Sequence, residues 1–198
     1  MPDSILELVG RGDIVVDAGA NVGLVTAQLC NRVGPSGTVL AIEPLPANAQ
    51  RLREFAEDND LPQLQVAEVA LSDRPGTAEL RCEDRENTSP YASFSASWID
   101  GSKIAVETRT LDEVAPGSVS LIKLDVEGAE SLVLNGASRV LLERPMIYCE
   151  FNDIVLRDSG SSAEQLLEHF ARLGYGPRGR LDGSVADVLM IPKGHARI

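Results

Sequence analysis

A glycine turn between an apolar run and a helical pattern constrains this chain more than any other feature. The apolar run is Ile14–Val16, the turn is Asp17-Ala-Gly-Ala-Asn-Val-Gly23, and the helical pattern extends from Val22 to Arg32. A buried strand, a tight turn and a helix N-terminus, in this order, form the ligand-binding crevice of many α/β folds. The segment therefore predicts a strand–turn–helix unit with a small ligand above the turn.

The carboxylate of Asp17 restricts the ligand that this turn can hold. At the strand tip it would repel the pyrophosphate of a dinucleotide and attract an ammonium or sulfonium group. An NAD-binding turn would also read Gly-x-Gly-x-x-Gly, whereas this one has Gly19 and Gly23 without the middle glycine. The turn thus favours S-adenosylmethionine over NAD or ATP. Helix capping is the alternative role for Asp17, and Asn21 is either a cap or a ligand contact.

Strand-like and helical segments alternate along most of the chain. Such alternation predicts an α/β fold, with a mostly parallel sheet covered by helices on both faces. The chain has 198 residues and neither a linker nor a repeat, so we predict a single domain over residues 1–198. The predicted strands after the first are Thr38–Ile42, Leu64–Leu71, Val119–Leu124, Pro145–Phe151 and two within Tyr175–Ile191, and the predicted helices after the first are Ala47–Asn59, Ala129–Leu142 and Ser162–Leu173.

One segment interrupts this alternation. Two strand-like runs, Thr77–Cys82 and Ile104–Thr110, flank a polar stretch, Glu83–Ser102, that contains Trp98. We predict an inserted hairpin or loop at about 76–110. Its tip is either a lid or substrate wall over the ligand, or a packed surface excursion.

The composition excludes several classes of partner. A net charge of −12 and a pI of about 4.6 argue against extended binding to a phosphate backbone. No apolar run approaches the ~20 residues of a membrane span, and the N-terminus lacks a secretory signal pattern. The cysteines Cys30, Cys82 and Cys149 are odd in number and widely spaced, which is typical of reduced thiols. We predict a cytoplasmic location, with no nucleic-acid or membrane partner.

An ordered series of motifs resembles the FkbM-type family of class I S-adenosylmethionine-dependent methyltransferases. The most specific motif is Ile122-Lys-Leu-Asp-Val-Glu-Gly-Ala-Glu130. The other motifs are Asp17–Thr26, Ala41–Pro44, Ala70–Gly76, Thr110–Glu113 and Arg144-Pro with the acid Glu150. The resemblance implies a Rossmann-like fold whose seven-stranded sheet has an antiparallel last strand. It also implies O-methylation of a small molecule, commonly a sugar or natural product. A protein that binds S-adenosylmethionine without catalysis is the alternative.

Several residues are predicted to hold this cofactor. Gly19 and Gly23 let the backbone approach a ligand closely. Glu43 ends the second strand near the ~20-residue offset at which an acid binds ribose hydroxyls, although a salt bridge is its alternative role. The adenine position is left among Ala70, Leu71, Ser72 and Asp73, with Glu68 as a second candidate.

Acidic residues follow the fourth and fifth strands, where the acceptor should meet the methyl group. Asp125 and Glu150 are predicted at strand tips, and Asp125 is also expected to touch the cofactor. Together with Glu127 they form the predicted catalytic set, because clustered carboxylates raise one another's pKa towards that of a general base. Glu130 is predicted to brace the following helix. Lys123 either tunes Asp125 or forms an ion pair.

A divalent metal is a weaker expectation for the same carboxylates. Hard cations prefer oxygen ligands, but no dense Asp-x-Asp pattern occurs, so we predict no metal. His169 and His195 are expected to be structural or solvated rather than catalytic. Only sixteen residues precede Asp17, so we expect an open acceptor site. The Glu83–Ser102 loop or the second subunit of a homodimer would then cover it. The alternative is that the sequence is a shortened form of a longer chain.

Overall fold

A computed structural model describes residues 3–82, 92–93, 102–179 and 184–194. The described strands are β1 (Ile14–Ala18), β2 (Thr38–Ile42), β3 (Leu64–Ala67), β4 (Ala70–Leu71), β5 (Gly76–Cys82), β6 (Ala92–Ser93), β7 (Ser102–Arg109), β8 (Leu121–Leu124), β9 (Met146–Asn152), β10 (Tyr175–Arg178) and β11 (Val185–Pro192). The described helices are α1 (Asp3–Leu6), α2 (Leu24–Val33), α3 (Pro46–Asp58), α4 (Leu111–Val114), α5 (Glu130–Asn135), α6 (Ser138–Leu142), α7 (Asp153–Asp158) and α8 (Ala163–Arg172).

A seven-stranded sheet forms the centre of the fold, with the strand order β10-β11-β9-β8-β1-β2-β3. The five strands from β9 to β3 pair in parallel, and β11 is antiparallel to both of its neighbours. This arrangement confirms the predicted fold class. Because parallel strands end at the same edge, the loops after β1, β2, β8 and β9 meet above one crevice.

Apolar side chains cover both faces of the sheet. Alternate residues of β1 point to opposite sides, so Val15 and Val16 lie in different clusters, and both are completely buried. One cluster includes residues of α1, α2 and α3, and the other includes residues of α5, α6 and α8. In the part of the chain that is described, no helix is long and apolar enough to cross a membrane.

The predicted third strand, Leu64–Leu71, is divided in the structure. Its first half, β3, pairs with β2 in the main sheet, whereas β4 pairs in parallel with the end of β7. The smaller sheet has the order β4-β7-β5-β6, and β5 and β7 form the antiparallel hairpin expected at about 76–110. Most of Glu83–Ser102 and the turn at Asp182–Gly183 lie outside the described residues.

The predicted helix Ala129–Leu142 is also divided, into α5 and α6. The break lies at Gly136, where a Cβ atom would collide with the carbonyl oxygen of Ser72. The second helix has its own cap, since the carboxylate of Asp112 accepts hydrogen bonds from the N–H groups of Arg139 and Val140 at 2.8 and 3.0 Å. Close packing against a neighbouring loop therefore overrides the helical periodicity.

Candidate active site

The loop after β1 has backbone conformations that favour glycine. Gly19 and Gly23 have φ angles of 79° and 91°, and Asn21 has a φ of 52°. A Cβ atom on Gly19 would also collide with the carbonyl oxygen of Asp125 in the loop after β8. A residue with a side chain at position 19 would therefore push apart the two loops that border the crevice.

A cavity of about 250 Å³ lies at the carboxyl edge of the central strands. The loop after β1, the end of β2, the β3–β4 junction and the loop after β8 form its walls. The predicted site residues that line it are Gly19, Asn21, Glu43, Ala70, Leu71, Asp125 and Glu127. Asp17, Gly23, Ser72 and Glu150 do not line it. The fold thus brings most of the predicted cofactor residues to one cavity.

Glu43 reaches the cavity with both carboxylate oxygens hydrogen-bonded. The N–H of Asn21 donates to Oε2 at 2.9 Å, and the N–H of Leu45 donates to Oε1 at 3.0 Å. The amide of Asn48 lies 3.5 Å from Oε1. Burial raises the pKa of Glu43, while these hydrogen bonds oppose that shift. No Lys or Arg of the described ranges is within ion-pair distance, so the alternative of a salt bridge has no partner there.

Asp17 is completely buried beneath the loop after β1. The hydroxyl of Thr26 donates to its Oδ2 at 2.7 Å, and the ammonium of Lys123 lies 3.5 Å from its Oδ1. Gly23 is the N-cap residue of α2, so neither Asp17 nor Asn21 occupies the N-cap position of this helix. The negative charge of Asp17 is therefore enclosed under the loop.

Lys123 joins the two sides of the crevice. Its ammonium donates to the carbonyl oxygen of Gly19 at 3.2 Å and to Oδ2 of Asp125 at 3.0 Å. Burial alone lowers the pKa of Lys123, but the charges of Asp17 and Asp125 outweigh burial and raise it above its usual value. Lys123 is thus a buried cation between two carboxylates. Of its two predicted roles, this arrangement corresponds to the ion pair.

The predicted adenine candidates divide into two groups. Residues 69–71 line the cavity at the β3–β4 junction. The hydroxyl of Ser72 instead lies 3.3 Å from the carboxylate of Asp73, and Glu68 pairs with Arg53 at 2.7 Å on the surface. Residues of the second group do not line the cavity, and the chain bends at this junction to enter the smaller sheet.

The carboxylates of Asp125, Glu127 and Glu150 converge beside the cavity. Oxygen atoms of the three groups all lie within 4.8 Å of one another. Burial is the largest cause that raises the pKa of Glu127 to about 8 and that of Glu150 to about 7, and the charge of Asp125 raises both further. Both groups can therefore exchange a proton near neutral pH, which suits a general base.

The loop between β8 and α5 holds Glu127 in the left-handed region, with a φ of 51°. Gly128 follows with a φ of 95°. Oε1 of Glu130 accepts hydrogen bonds from the N–H groups of Val126 and Gly128, both at 3.2 Å, and Glu130 is buried. Glu130 thus braces the loop, while Glu127 adopts a conformation that is often found at functional sites.

The same three carboxylates are close enough to share one hard cation. The ammonium of Lys123, 3.0 Å from Asp125, already places a positive charge next to the cluster. The expected absence of a metal stays a prediction.

Several cavity residues could not be identified from sequence patterns. Leu80 comes from the inserted hairpin, Leu24 from the start of α2, and Asn48 from the first turn of α3. Only Asn48 has a local signal, since it follows Glu43 by five residues. Of the two histidines, His169 lies on α8 away from the cavity, and His195 lies outside the described residues, as does Trp98.

Comparisons with known proteins identify the family. A model of the methyltransferase FkbM domain matches residues 17–177. The chain is 30% identical to the 2-O-methyltransferase NoeI of Sinorhizobium fredii, over 91% of this chain and 82% of that protein.

Solved structures share the fold. A methyltransferase FkbM from Methylobacillus flagellatus has a TM-score of 0.60 at 19% identity, and the match covers 93% of this chain but 44% of that one. A Streptococcus mutans protein solved in complex with SAH has a TM-score of 0.55 at 10% identity, over 95% of this chain and 92% of that one. The family match spans most of the chain and confirms the resemblance of the ordered motifs. The chain belongs to the FkbM methyltransferase family.

Proposed function

We propose that this chain transfers a methyl group from S-adenosylmethionine to a hydroxyl oxygen of a small molecule, a sugar or a natural product. The observation that carries the proposal is the cluster of Asp125, Glu127 and Glu150 beside the cavity that the glycine turn borders. The cavity can hold a cofactor, and the carboxylates beside it can remove a proton from a hydroxyl.

The residues around the cavity fit this cofactor. A Cβ atom at position 19 would push apart the two loops that border the cavity, and Glu43 keeps lone pairs free beyond the hydrogen bonds that it accepts. We propose that Gly19, Asn21 and Glu43 hold the methionine and ribose parts. The backbone of Ala70 and Leu71 would contact the base. When bound, S-adenosylmethionine supplies a methyl group on a sulfonium, whose sulfur keeps the electron pair as the methyl leaves.

Asp17 acts from a distance in this proposal. Its carboxylate is enclosed by Thr26 and Lys123 and does not line the cavity. It therefore supports the loop and adds negative potential beneath it, which favours the cationic end of the cofactor without direct contact.

The carboxylates on the acceptor side have different proposed roles in proton transfer. Lys123 forms an ion pair with Asp125 and so holds this carboxylate beside the reacting groups. Glu150, whose pKa is raised to about 7, is the proposed general base, and Glu127 is the neighbouring group that shares its environment. Removal of the hydroxyl proton makes the acceptor oxygen a better nucleophile.

Two findings support an oxygen acceptor on a small molecule. The relative from Sinorhizobium fredii is named a 2-O-methyltransferase. The net charge of −12 disfavours a nucleic-acid acceptor. We further propose that the protein works in the cytoplasm and that a second subunit of a homodimer covers the acceptor.

Binding and turnover together test this proposal. Calorimetry should show that S-adenosylmethionine and S-adenosylhomocysteine bind and that NADH does not. Mass spectrometry of a panel of hydroxylated sugars, polyketides and peptides should show a gain of one methyl group in at least one compound. Binding without any transfer would favour the non-catalytic alternative. Binding of NADH instead would favour an oxidoreductase.

A further inference from the structure

The carboxylate of Glu43 has little acceptor capacity left for a ribose. A carboxylate offers about four lone pairs on its two oxygens. Oε1 already accepts from the N–H of Leu45 at 3.0 Å and from the amide of Asn48 at 3.5 Å. Oε2 accepts from the N–H of Asn21 at 2.9 Å. Glu43 can therefore accept one further hydrogen bond, at Oε2, whereas a ribose presents two neighbouring hydroxyls. The second hydroxyl needs another acceptor.

The side chain of Asn48 has an unused acceptor at the same cavity. Asn48 lines the cavity although it is only 1% exposed, and its Oδ1 makes no hydrogen bond to any residue that the structure describes. Other buried side-chain oxygens without a hydrogen bond occur in the described ranges, but none of them belongs to a residue that lines the cavity. Buried amide oxygens are normally paired, because an unpaired one costs the free energy of its desolvation. Asn48 therefore has an acceptor whose donor is still to be found.

The neighbours of the Asn48 amide determine its orientation. Its Nδ2 lies 3.4 Å from Oδ1 of Asn21 and 3.5 Å from Oε1 of Glu43. A rotated amide would place its own oxygen against these two oxygens, which would lose both contacts. The nitrogen therefore faces Asn21 and Glu43, and the oxygen is the end that remains available.

The start of α3 explains why Asn48 occupies this position. The helix begins at Pro46, three residues after Glu43, and the fixed φ of proline suits the first position of a helix. Asn48 is the third helical residue, and this early start brings its side chain back to the carboxylate of Glu43. The two side chains therefore reach the cavity together.

We propose that Asn48 and Glu43 bind the ribose of S-adenosylmethionine together, each accepting a hydrogen bond from one of the two adjacent hydroxyls. The nitrogen of Asn48 has a second role, since it positions the carboxylate of Glu43. This inference rests on the proposed function, because it requires the cofactor to occupy the cavity. It assigns to Glu43 only one of the two hydroxyls that its offset from the first glycine predicts for an acid at this place.

Calorimetry with S-adenosylhomocysteine and its 2′-deoxy and 3′-deoxy analogues tests this division. On the unmodified protein, each analogue should bind about tenfold more weakly than S-adenosylhomocysteine, because each leaves one buried acceptor unpaired. Asn48→Ala should weaken the binding of S-adenosylhomocysteine about tenfold, with little further loss for one of the two deoxy analogues. Glu43→Gln should show little further loss for the other analogue.

Two further variants complete the experiment. Asn31→Ala removes the same side chain from an exposed position near the end of α2, and it should leave all three dissociation constants unchanged. Asn48→Leu fills more of the volume of the lost amide than alanine does, and it takes the place of Asn48→Ala if that variant does not fold. Asn48→Leu should give the same pattern across the three ligands.

The unmodified protein and the variants can each overturn the inference. Binding of either deoxy analogue to the unmodified protein with full affinity would do so, and this measurement needs no variant. An unchanged dissociation constant in Asn48→Ala would do so too, as would an equal further loss for both deoxy analogues, which would indicate a structural role alone.

A fourth ligand separates the ribose from the base. If the loss in Asn48→Ala disappears with the S-adenosylhomocysteine analogue that lacks the amino group of adenine, Asn48 binds the base and the inference is wrong. In each of these cases, binding of S-adenosylhomocysteine to the unmodified protein would leave the proposed function intact. A lack of that binding would contradict the proposed function itself.

Discussion

The acids on the two sides of the crevice differ in what surrounds them. On the cofactor side, Asp17 accepts a hydrogen bond from Thr26, and Glu43 accepts two from backbone N–H groups. On the acceptor side, Glu127 and Glu150 lie among other carboxylates, and burial and those charges raise their pKa values to about 8 and 7.

This difference separates the acids that bind the cofactor from the acids that take part in proton transfer. Acids that already accept hydrogen bonds keep one position, so they can orient a cofactor before it arrives. Acids that repel one another can take up a proton or accept donors from a ligand at little cost. The comparison predicts that changes on the two sides affect different measurements.

The largest expected effect follows from Glu150→Gln. Loss of the general base should lower kcat by about 10²–10⁴-fold, with little change in affinity for S-adenosylhomocysteine. Steady-state kinetics and calorimetry on the same preparation measure the two quantities. Glu168→Gln serves as the surface control. A variant with normal turnover would assign proton removal to another group.

Asp17→Ala should affect stability rather than chemistry. It removes one partner of a buried ion pair and should lower the free energy of unfolding by about 3–5 kcal/mol. Adding Lys123→Met should recover part of that loss, because it removes a buried ammonium that Asp17→Ala leaves with Asp125 as its one carboxylate partner among the described residues. Urea denaturation measures both. The exposed pair Lys103–Glu79 is the control, and Lys103→Met should cost less than about 1 kcal/mol. Additive losses for Asp17 and Lys123 would argue against their coupling.

The pH dependence of kcat/KM should follow Glu150. A base acts only when deprotonated, so kcat/KM should rise with pH through about 7 and be about tenfold lower at pH 6 than at pH 8. The residual activity of Glu150→Gln should lack this inflection. An inflection that persists in the variant would point to Glu127, whose pKa is about 8.

The smallest expected effect concerns metal removal. Lys123 already supplies a positive charge next to Asp125, so dialysis against a chelator should leave turnover unchanged. Loss of activity on chelation, restored by Mg²⁺ or Mn²⁺, would show that the three carboxylates hold a cation.

Local patterns were sufficient for the fold and for the position of the crevice. The strand–turn–helix order around Gly19 and the position of Glu43 at the end of β2 follow from apolar periodicity and glycine spacing. The family resemblance added the seven-stranded sheet with its antiparallel strand, which the structure confirms. Both sources depend on residues close together in the sequence or on motifs in a fixed order.

Contacts that depend on the pairing of distant strands could not be predicted from one sequence. The enclosure of Asp17 by Lys123 depends on β1 lying beside β8, and the approach of Glu150 to Asp125 depends on β8 lying beside β9. The bend that divides Leu64–Leu71 likewise depends on pairing between β4 and β7. Each contact joins segments that share no local signal, so a pattern along the chain cannot reveal it.

The division between the two sides is tested most directly by calorimetric titration of S-adenosylhomocysteine into Glu43→Gln and Glu150→Gln, side by side with the unmodified protein. We expect the dissociation constant to rise about tenfold in Glu43→Gln, which loses charged acceptor oxygens, and to stay unchanged in Glu150→Gln. Equal weakening in both variants, or weakening in Glu150→Gln alone, would contradict the account.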